Sequence, residues 1–180
     1  AKTLAENDQK CAVITLPVSI CWLLNIRGSD IPRNPVVHAF CLLHADARAT
    51  LFIDARKLDE MVIDHLGDEI DIAPFDSFAD ALPSLNGPVR VDRQTGPARV
   101  AQILEDAGIE VQWGADPCLL PKACKNAAEV EGSAQAHLRD GAAMVELLAW
   151  LDLQPAGSLK EIDVVAELES KRRKDNALQD

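Results

Sequence analysis

The sequence has no long apolar run and no excess of positive charge. No stretch approaches the roughly 18 apolar residues that a membrane span requires, which excludes a transmembrane protein. Among the 180 residues, 29 acidic side chains outnumber 18 basic ones, so the formal net charge is −11. An acidic chain lacks the cationic face that a nucleic-acid backbone requires. We therefore expect neither a membrane nor a nucleic acid as a partner.

Signals of secretion are also lacking. Residues 1–10 are polar with no apolar core behind them, so we expect no signal peptide. The first residue is not methionine, which predicts a piece of a longer protein. The cysteines are odd in number and form no C-x-x-C pair: Cys11, Cys21, Cys41, Cys118 and Cys124. This pattern favours buried thiols in a reducing cytoplasm over a disulfide framework or a zinc site.

Short strands and helices alternate through the first two thirds of the chain, which predicts an α/β fold. An apolar fraction of 48% is typical of a folded globular protein. Strands are predicted at 11–16, 38–44, 50–54, 69–73, 88–92 and 109–113. Helices are predicted at 17–24, 56–66 and 75–85, and a further helix with Pro97 in its first turn ends at 107. Asp54 and Thr95 are the predicted N-caps of the second and the last of these helices. Residues 45–48 form a predicted hairpin turn, so the sheet of five or six strands is mixed.

The character of the sequence changes after Cys118. A capping box, Asn126 to Glu129, opens a long helix, and residues 155–157 end it. Ser158 to Glu161 offers a second box for a helix that ends in the basic run 171–174. The predicted apolar stripe of the long helix contains Val130, Ala134, His137, Gly141, Met144, Leu148 and Leu151. Because two helices cannot bury their own stripes well, we expect this segment to pack on a partner or to self-associate.

Common catalytic motifs are absent, and most candidate residues have a structural explanation. The sequence contains no nucleotide-binding glycine motif, nucleophile elbow or H-E-x-x-H. His38 and His44 are too far apart along one strand for a shared metal, and His65 suits a helix C-terminus. Asp54 and Asp92 each follow a strand, where capping and loop entry explain them.

Two residues carry hypotheses of function. Arg27 lies in a Gly- and Pro-rich loop with Asp30 near enough for a local pair. It either braces that loop or presents a cation to a substrate carboxylate or to another subunit. His137 lies on the predicted apolar stripe with Asp140 three residues later, which favours a packed histidine fixed by a hydrogen bond.

Two blocks of sequence resemble three-domain Xaa-Pro aminopeptidases. Residues 22–32 (WLLNIRGSDIP) are similar to a hallmark of the middle domain of these enzymes, and they follow Leu16 and Pro17 as in that family. The second block resembles the entry into their catalytic domain and comprises 121–129 (PKACKNAAE), Gly132, 136–137, 139–141 and 148–151. The two blocks bracket nearly the whole chain.

The resemblance implies a fold and a fragment. It implies a creatinase/prolidase N-terminal-type domain, with a ribonuclease-H-like mixed sheet, over 1–120. Residues 121–180 would be the first two helices of a truncated pita-bread metallopeptidase domain. Complete enzymes of this family remove an N-terminal residue that precedes proline. They use two divalent metals, typically manganese, held by two Asp, one His and two Glu.

No residue of this chain matches a ligand position of that family, so we expect no catalytic residue, no metal and no peptidase activity in the fragment itself. Its expected roles are to support the structure, to shape the active-site entrance and to contribute to a homodimer in a cytoplasmic enzyme acting on proline-containing peptides. Asn25, Arg27 and Asp30 would lie nearest the cleft, and His137 would be a further substrate-proximal or interface residue. The alternatives are a peptidase-like, non-catalytic binding module and a prolidase or creatinase relative.

Overall fold

A computed structural model describes residues 1–174, with a six-stranded mixed sheet as its centre. The strands are β1 (Cys11–Ile14), β2 (Phe40–His44), β3 (Ala49–Ile53), β4 (Ile70–Pro74), β5 (Val89–Val91) and β6 (Val111–Trp113). Their order across the sheet is β4-β3-β2-β1-β5-β6. Only β2 runs antiparallel to its neighbours, and every other pair is parallel. The predicted mixed α/β sheet is thus confirmed.

Eight helices and three short 3₁₀ segments are described within residues 1–174. The α-helices are α1 (Lys2–Glu6), α2 (Pro17–Leu24), α3 (Glu60–Leu66), α4 (Phe78–Ala81), α5 (Ala98–Asp106), α6 (Leu119–Ala123), α7 (Ala127–Asp152) and α8 (Glu161–Lys174). The 3₁₀ turns are Ala55–Lys57, Phe75–Ser77 and Leu82–Ser84. The chain divides into two compact units, Ala1–Cys124 and Lys125–Asp180.

Strand alternation places an apolar cluster on each face of the sheet. Ala12, Ile14 and Cys41 belong to one cluster, which α2 also joins. Val13, Leu42 and other alternate residues point to the opposite face, where they meet side chains of α4 and α5. Since successive side chains of a strand point to opposite faces, two covered faces require strands that are apolar throughout. This explains the continuous apolar runs of β1 to β3.

Two predicted helix starts are wrong for local reasons. Asp54 caps the 3₁₀ turn rather than a helix, and Asp59 caps α3 by accepting a hydrogen bond from the Val62 N–H. The predicted helix 56–66 therefore begins only at Glu60, after an extended Leu58. Thr95 is not an N-cap, because the extended Pro97 directly precedes the first helical residue, Ala98.

The second unit contains the two helices that the sequence predicts. Asn126 and Glu129 form the predicted capping box, with N···O distances of 2.8 and 2.9 Å. The second box is wrong, because the Ser158 hydroxyl donates to the Pro155 carbonyl instead of capping α8.

The buried stripe of α7 also differs from the prediction. Ala143 and Leu147 are its buried residues, whereas Val130, Met144 and Leu148 are exposed. Helix α8 has no buried residue within its described length. Its basic end instead pairs with acidic residues of α7, as in the 2.6 Å contact between Arg172 Nε and Asp140.

Candidate functional site

The irregular segment between α2 and β2, residues 25–39, contains three of the four predicted site residues. Asn25 ends α2 in the left-handed conformation, at φ 50° and ψ 42°. Its N–H donates to the Trp22 carbonyl, and the Ile26 N–H donates to the Cys21 carbonyl. Because β2 runs opposite to its neighbours, this segment enters the sheet at the edge where β3 ends. We call residues 25–39 the α2–β2 loop.

Asp30 fixes this loop to the turn that follows β3. One carboxylate oxygen, Oδ2, accepts hydrogen bonds from the His38 backbone N–H at 2.6 Å and from Lys57 Nζ at 2.6 Å. The pKa of Asp30 is lowered mainly by the hydrogen bond from Lys57 and, second, by the hydrogen bond from the His38 N–H. The predicted pair between Arg27 and Asp30 is therefore wrong, since Lys57 occupies the carboxylate.

This ion pair predicts a specific dependence of stability on pH. Because the pKa of Asp30 is lower in the folded than in the unfolded chain, the pair stabilises the fold above the ordinary aspartate pKa of about 3.9. That contribution is lost as the pH falls through and below this value. It amounts to about 1 kcal/mol or less, as for other surface pairs.

The check is the free energy of unfolding in urea between pH 3 and pH 7. We expect the variant Asp30→Asn to lose less stability on acidification than the unmodified chain, and Lys57→Met to behave in the same way. Curves for both variants that run parallel to the wild-type curve would contradict this coupling.

Arg27 is held by the end of α2 rather than by an acid. Its Nη1 donates to the Ile26 carbonyl at 2.8 Å and, more weakly, to the Cys21 carbonyl at 3.4 Å. The rest of the exposed side chain forms no ion pair with any residue of 1–174. Arg27 therefore braces the loop at one nitrogen and leaves the remainder of its guanidinium in solvent.

Two recesses lie beside these residues. One, of about 180 Å³, is lined by Arg27, Ser29, Asp30 and Lys57 together with apolar side chains. The second, of about 700 Å³, lies at the ends of β3 and β4 and shares Lys57 and Ile53 with the first. The ends of parallel strands are a usual place for ligand sites in α/β proteins.

His137 lies in the second unit and does not show the packing that the sequence predicts. It is exposed, and its Nδ1 contacts the Ser133 carbonyl at 2.7 Å. Asp140, its predicted partner, pairs with Arg172 instead. The expected buried, carboxylate-bound histidine is therefore wrong.

The other polar candidates also contribute to local structure. Asp54 accepts hydrogen bonds from the Arg56 side chain and from the Arg56 N–H. These bonds, in that order of size, lower the pKa of Asp54 to about 2. Asp92 accepts hydrogen bonds from the Gln94 and Asp116 N–H groups. The imidazole of His65, near the end of α3, lies 3.0 Å from the Leu24 carbonyl. These carboxylates and this imidazole are engaged in local structure.

Four of the five cysteines are buried as predicted, whereas Cys124 is exposed. Burial raises the pKa of Cys11 to about 12 and, together with nearby Asp116, that of Cys118 to about 12 as well. Such thiols stay protonated and are poor nucleophiles. No group of three or more His, Cys, Asp and Glu side chains in this range could hold a metal ion. Likewise, none of the described helices is both long and apolar enough to cross a bilayer.

Lys57 is the site residue that sequence reasoning missed. It lies 27 residues from Asp30, inside a segment predicted to be helical. The only available signal was its place just after a strand that ends beside the loop, which requires the strand pairing to be known.

Comparisons with known proteins agree with this fold. The family model of the creatinase/prolidase N-terminal domain matches residues 1–129. The chain is 39% identical over 186 residues to a probable Xaa-Pro aminopeptidase P of Aspergillus clavatus, covering 96% of this chain and 28% of that protein. A probable Xaa-Pro aminopeptidase P of Leptosphaeria maculans is 35% identical, with 96% and 31% covered. The chain thus spans less than a third of the length of these relatives.

Solved structures give the same picture. An X-prolyl aminopeptidase from Caenorhabditis elegans, described as a cytosolic enzyme with a di-nuclear active site, superposes with a TM-score of 0.86 at 29% identity. The match covers 99% of this chain and 30% of that one. An Xaa-Pro dipeptidase from Bacillus anthracis, at 18% identity and a TM-score of 0.71, shares the fold over 97% of this chain and 47% of that one. With a matching family model over 129 of its 180 residues, the chain belongs to the creatinase/prolidase N-terminal domain family.

Proposed function

We propose that this chain is the non-catalytic part of an Xaa-Pro aminopeptidase, a hydrolase that removes an N-terminal residue preceding proline. The observation that carries the proposal is the match to an X-prolyl aminopeptidase over 99% of the chain with a TM-score of 0.86. The 39% identity to a probable Xaa-Pro aminopeptidase P supports the same activity class. In this proposal residues 1–120 form the middle domain, and 121–180 begin the metallopeptidase domain.

Two divalent metals, manganese in our proposal, serve the complete enzyme. The residues described in this chain do not fit such a centre, because none of their His, Cys, Asp and Glu groups is arranged to hold an ion. In our proposal the metals bind in another part of the complete protein. There they would activate water and polarise the peptide carbonyl.

The contribution of this chain is to border the substrate entrance. The α2–β2 loop concentrates Asn25, Arg27 and Asp30 at one edge of the sheet, and Lys57 holds Asp30 in place. His137 is exposed on α7 and is available to substrate or to a neighbouring subunit. The proposed substrate-proximal or interface positions are Asn25, Arg27, Asp30 and His137.

We further propose that the complete protein is a cytoplasmic homodimer. Exposed apolar side chains on α7, including Leu138 at 68% and Val145 at 67% exposure, provide surface for association. Exposed apolar surface on a protein commonly marks an interaction site.

The experiment is a peptidase assay of the complete reading frame that contains this chain. We expect turnover of Ala-Pro-Ala with added Mn²⁺, no turnover of Ala-Ala-Ala, and loss of activity on chelation. The isolated chain should be inactive under the same conditions, and the mass of the complete protein in solution should correspond to two copies.

Two outcomes would contradict the proposal. Hydrolysis by residues 1–180 alone would place a catalytic centre in this chain. Binding of Ala-Pro-Ala by the complete protein without cleavage, whichever divalent metal is supplied, would identify a binding module instead.

A further inference from the structure

The guanidinium of Arg27 uses only one of its three nitrogens. Nη1 donates to the Ile26 and Cys21 carbonyls at 2.8 and 3.4 Å, which fixes the group at the C-terminal end of α2. Within residues 1–174, Nε and Nη2 have no hydrogen-bond partner. These two nitrogens form one edge of the guanidinium, with parallel N–H groups that match the two oxygens of a carboxylate.

No carboxylate of the surrounding structure competes for this edge. Asp30 is the acid of the same loop, and its Oδ2 already accepts from Lys57 Nζ and from the His38 N–H. The side chains of Lys57 and Asp30 are only 31% and 20% exposed, so the pair is partly shielded from solvent. Lys57 thus neutralises Asp30, and Arg27 remains available to a ligand.

The segment that carries Arg27 is held in one conformation. A Cβ atom on Gly28 would lie 2.9 Å from Val37 Cβ and 3.0 Å from the Val36 carbonyl oxygen, so the two arms of the loop are in close contact. The Val37 N–H also donates to Cys21 Sγ at 3.4 Å. A receptor group held in this way loses little conformational freedom on binding.

A small recess with one apolar wall adjoins Arg27. The pocket of about 180 Å³ is lined on its polar side by Ser29, Asp30 and Lys57, and its apolar wall comprises Val37, Ile53, Leu58 and Val62. Its volume is well below the ~300–1,000 Å³ of pockets for drug-sized ligands, so it suits a single side chain. A charged edge beside a small recess with an apolar wall complements what the end of a peptide presents, namely a carboxylate and one side chain.

From these features we infer that Arg27 binds the terminal carboxylate of a short peptide through Nε and Nη2, while the last, apolar side chain of that peptide enters the recess. The inference rests on the proposed function in that it takes peptides as the ligands. It adds a preference for short peptides with a free C-terminus.

A binding experiment on the chain itself tests this inference without catalysis. The probes are Ala-Pro-Leu with a free carboxylate and the same peptide with an amidated C-terminus, titrated while the Arg27 Nε–Hε resonance is followed by NMR. We expect a saturable shift with the free acid and about tenfold weaker binding of the amide, since a charge-assisted pair contributes about one order of magnitude. Arg27→Lys keeps the charge but loses the planar edge, so its affinity for the free acid should also fall about tenfold.

Arg48→Lys provides the matched control. Arg48 pairs with Asp71 beside the β2–β3 hairpin and should bind both peptides like the unmodified chain. Equal binding of acid and amide, absence of any shift, or an equal loss in Arg48→Lys would each overturn the inference.

In the complete protein, Arg27→Lys should raise the KM for the free acid about tenfold, with KM for the amide and kcat unchanged. If neither peptide is hydrolysed, the proposed function fails, whereas the NMR titration still decides the role of Arg27.

Discussion

Replacing Phe52 by alanine is expected to lower the free energy of unfolding of residues 1–124 by about 3–5 kcal/mol, the usual cost of removing a buried phenylalanine side chain. Phe52 is 2% exposed. The four phenylalanines of the sequence form one aromatic group. Phe52 packs edge to face on Phe78, with ring centroids 5.4 Å apart, and Phe40 stacks on both Phe75 and Phe78. Strand β3, which carries Phe52, cannot move into the space, because it is paired with β4 on one side and with β2 on the other.

Denaturation in urea followed by circular dichroism measures this loss. The matched control is Phe75→Ala, because Phe75 is only half-buried at the end of the same aromatic group. We expect the control to lose clearly less stability than Phe52→Ala. Equal losses would mean that contacts between rings, rather than burial, determine the contribution of each phenylalanine.

The second large effect is expected at Gly28. Its replacement by alanine would place a methyl group 2.9 Å from Val37 Cβ and 3.0 Å from the Val36 carbonyl oxygen. Neither atom can rotate away, so the arms of the α2–β2 loop must separate. Such overpacking costs about 1–3 kcal/mol. Because the same contact positions Arg27, we also expect the chemical shifts of the loop to change.

Two other substitutions serve as controls for Gly28→Ala. Ser29 is exposed and makes no side-chain hydrogen bond within residues 1–174, so Ser29→Ala should change stability by no more than about 0.5 kcal/mol. Gly132 lies in α7 with no atom within 4 Å of an added Cβ, and Gly132→Ala should stabilise that helix by about 0.5–1 kcal/mol. A neutral Gly28→Ala would show that the loop is more adaptable than its contacts indicate.

The sheet was predictable because its strands carry local signals. The continuous apolar run of β1 and the tight turn at residues 45–48 are properties of neighbouring residues, and both appear in the structure. The Asn126 capping box is equally local, since its two hydrogen bonds join residues three apart. Helix α1 has no such signal, because its five residues are polar except for the buried Leu4 and the exposed Ala5.

The candidate site was predictable in its residues but not in its contacts. The concentration of polar residues around Arg27 indicates a candidate functional loop. The partner of Asp30, however, is Lys57, which a different turn supplies. Such a contact depends on which strands are neighbours. The same limit applies to α7. Its sequence periodicity indicates that Met144 and Leu148 are buried, but the buried residues are Ala143 and Leu147. Tertiary packing determines which of two adjacent helix faces is covered.

The direction of β2 has a practical consequence for immobilising this protein. The α2–β2 loop enters β2 at Phe40, whereas the hairpin at residues 45–48 leaves it at His44. Four residue steps of about 3.4 Å each place these points roughly 14 Å apart, at opposite ends of the strand. A fluorophore or surface tether attached to the exposed Asp46 therefore leaves the surroundings of Arg27 unobstructed for single-molecule or sensor measurements.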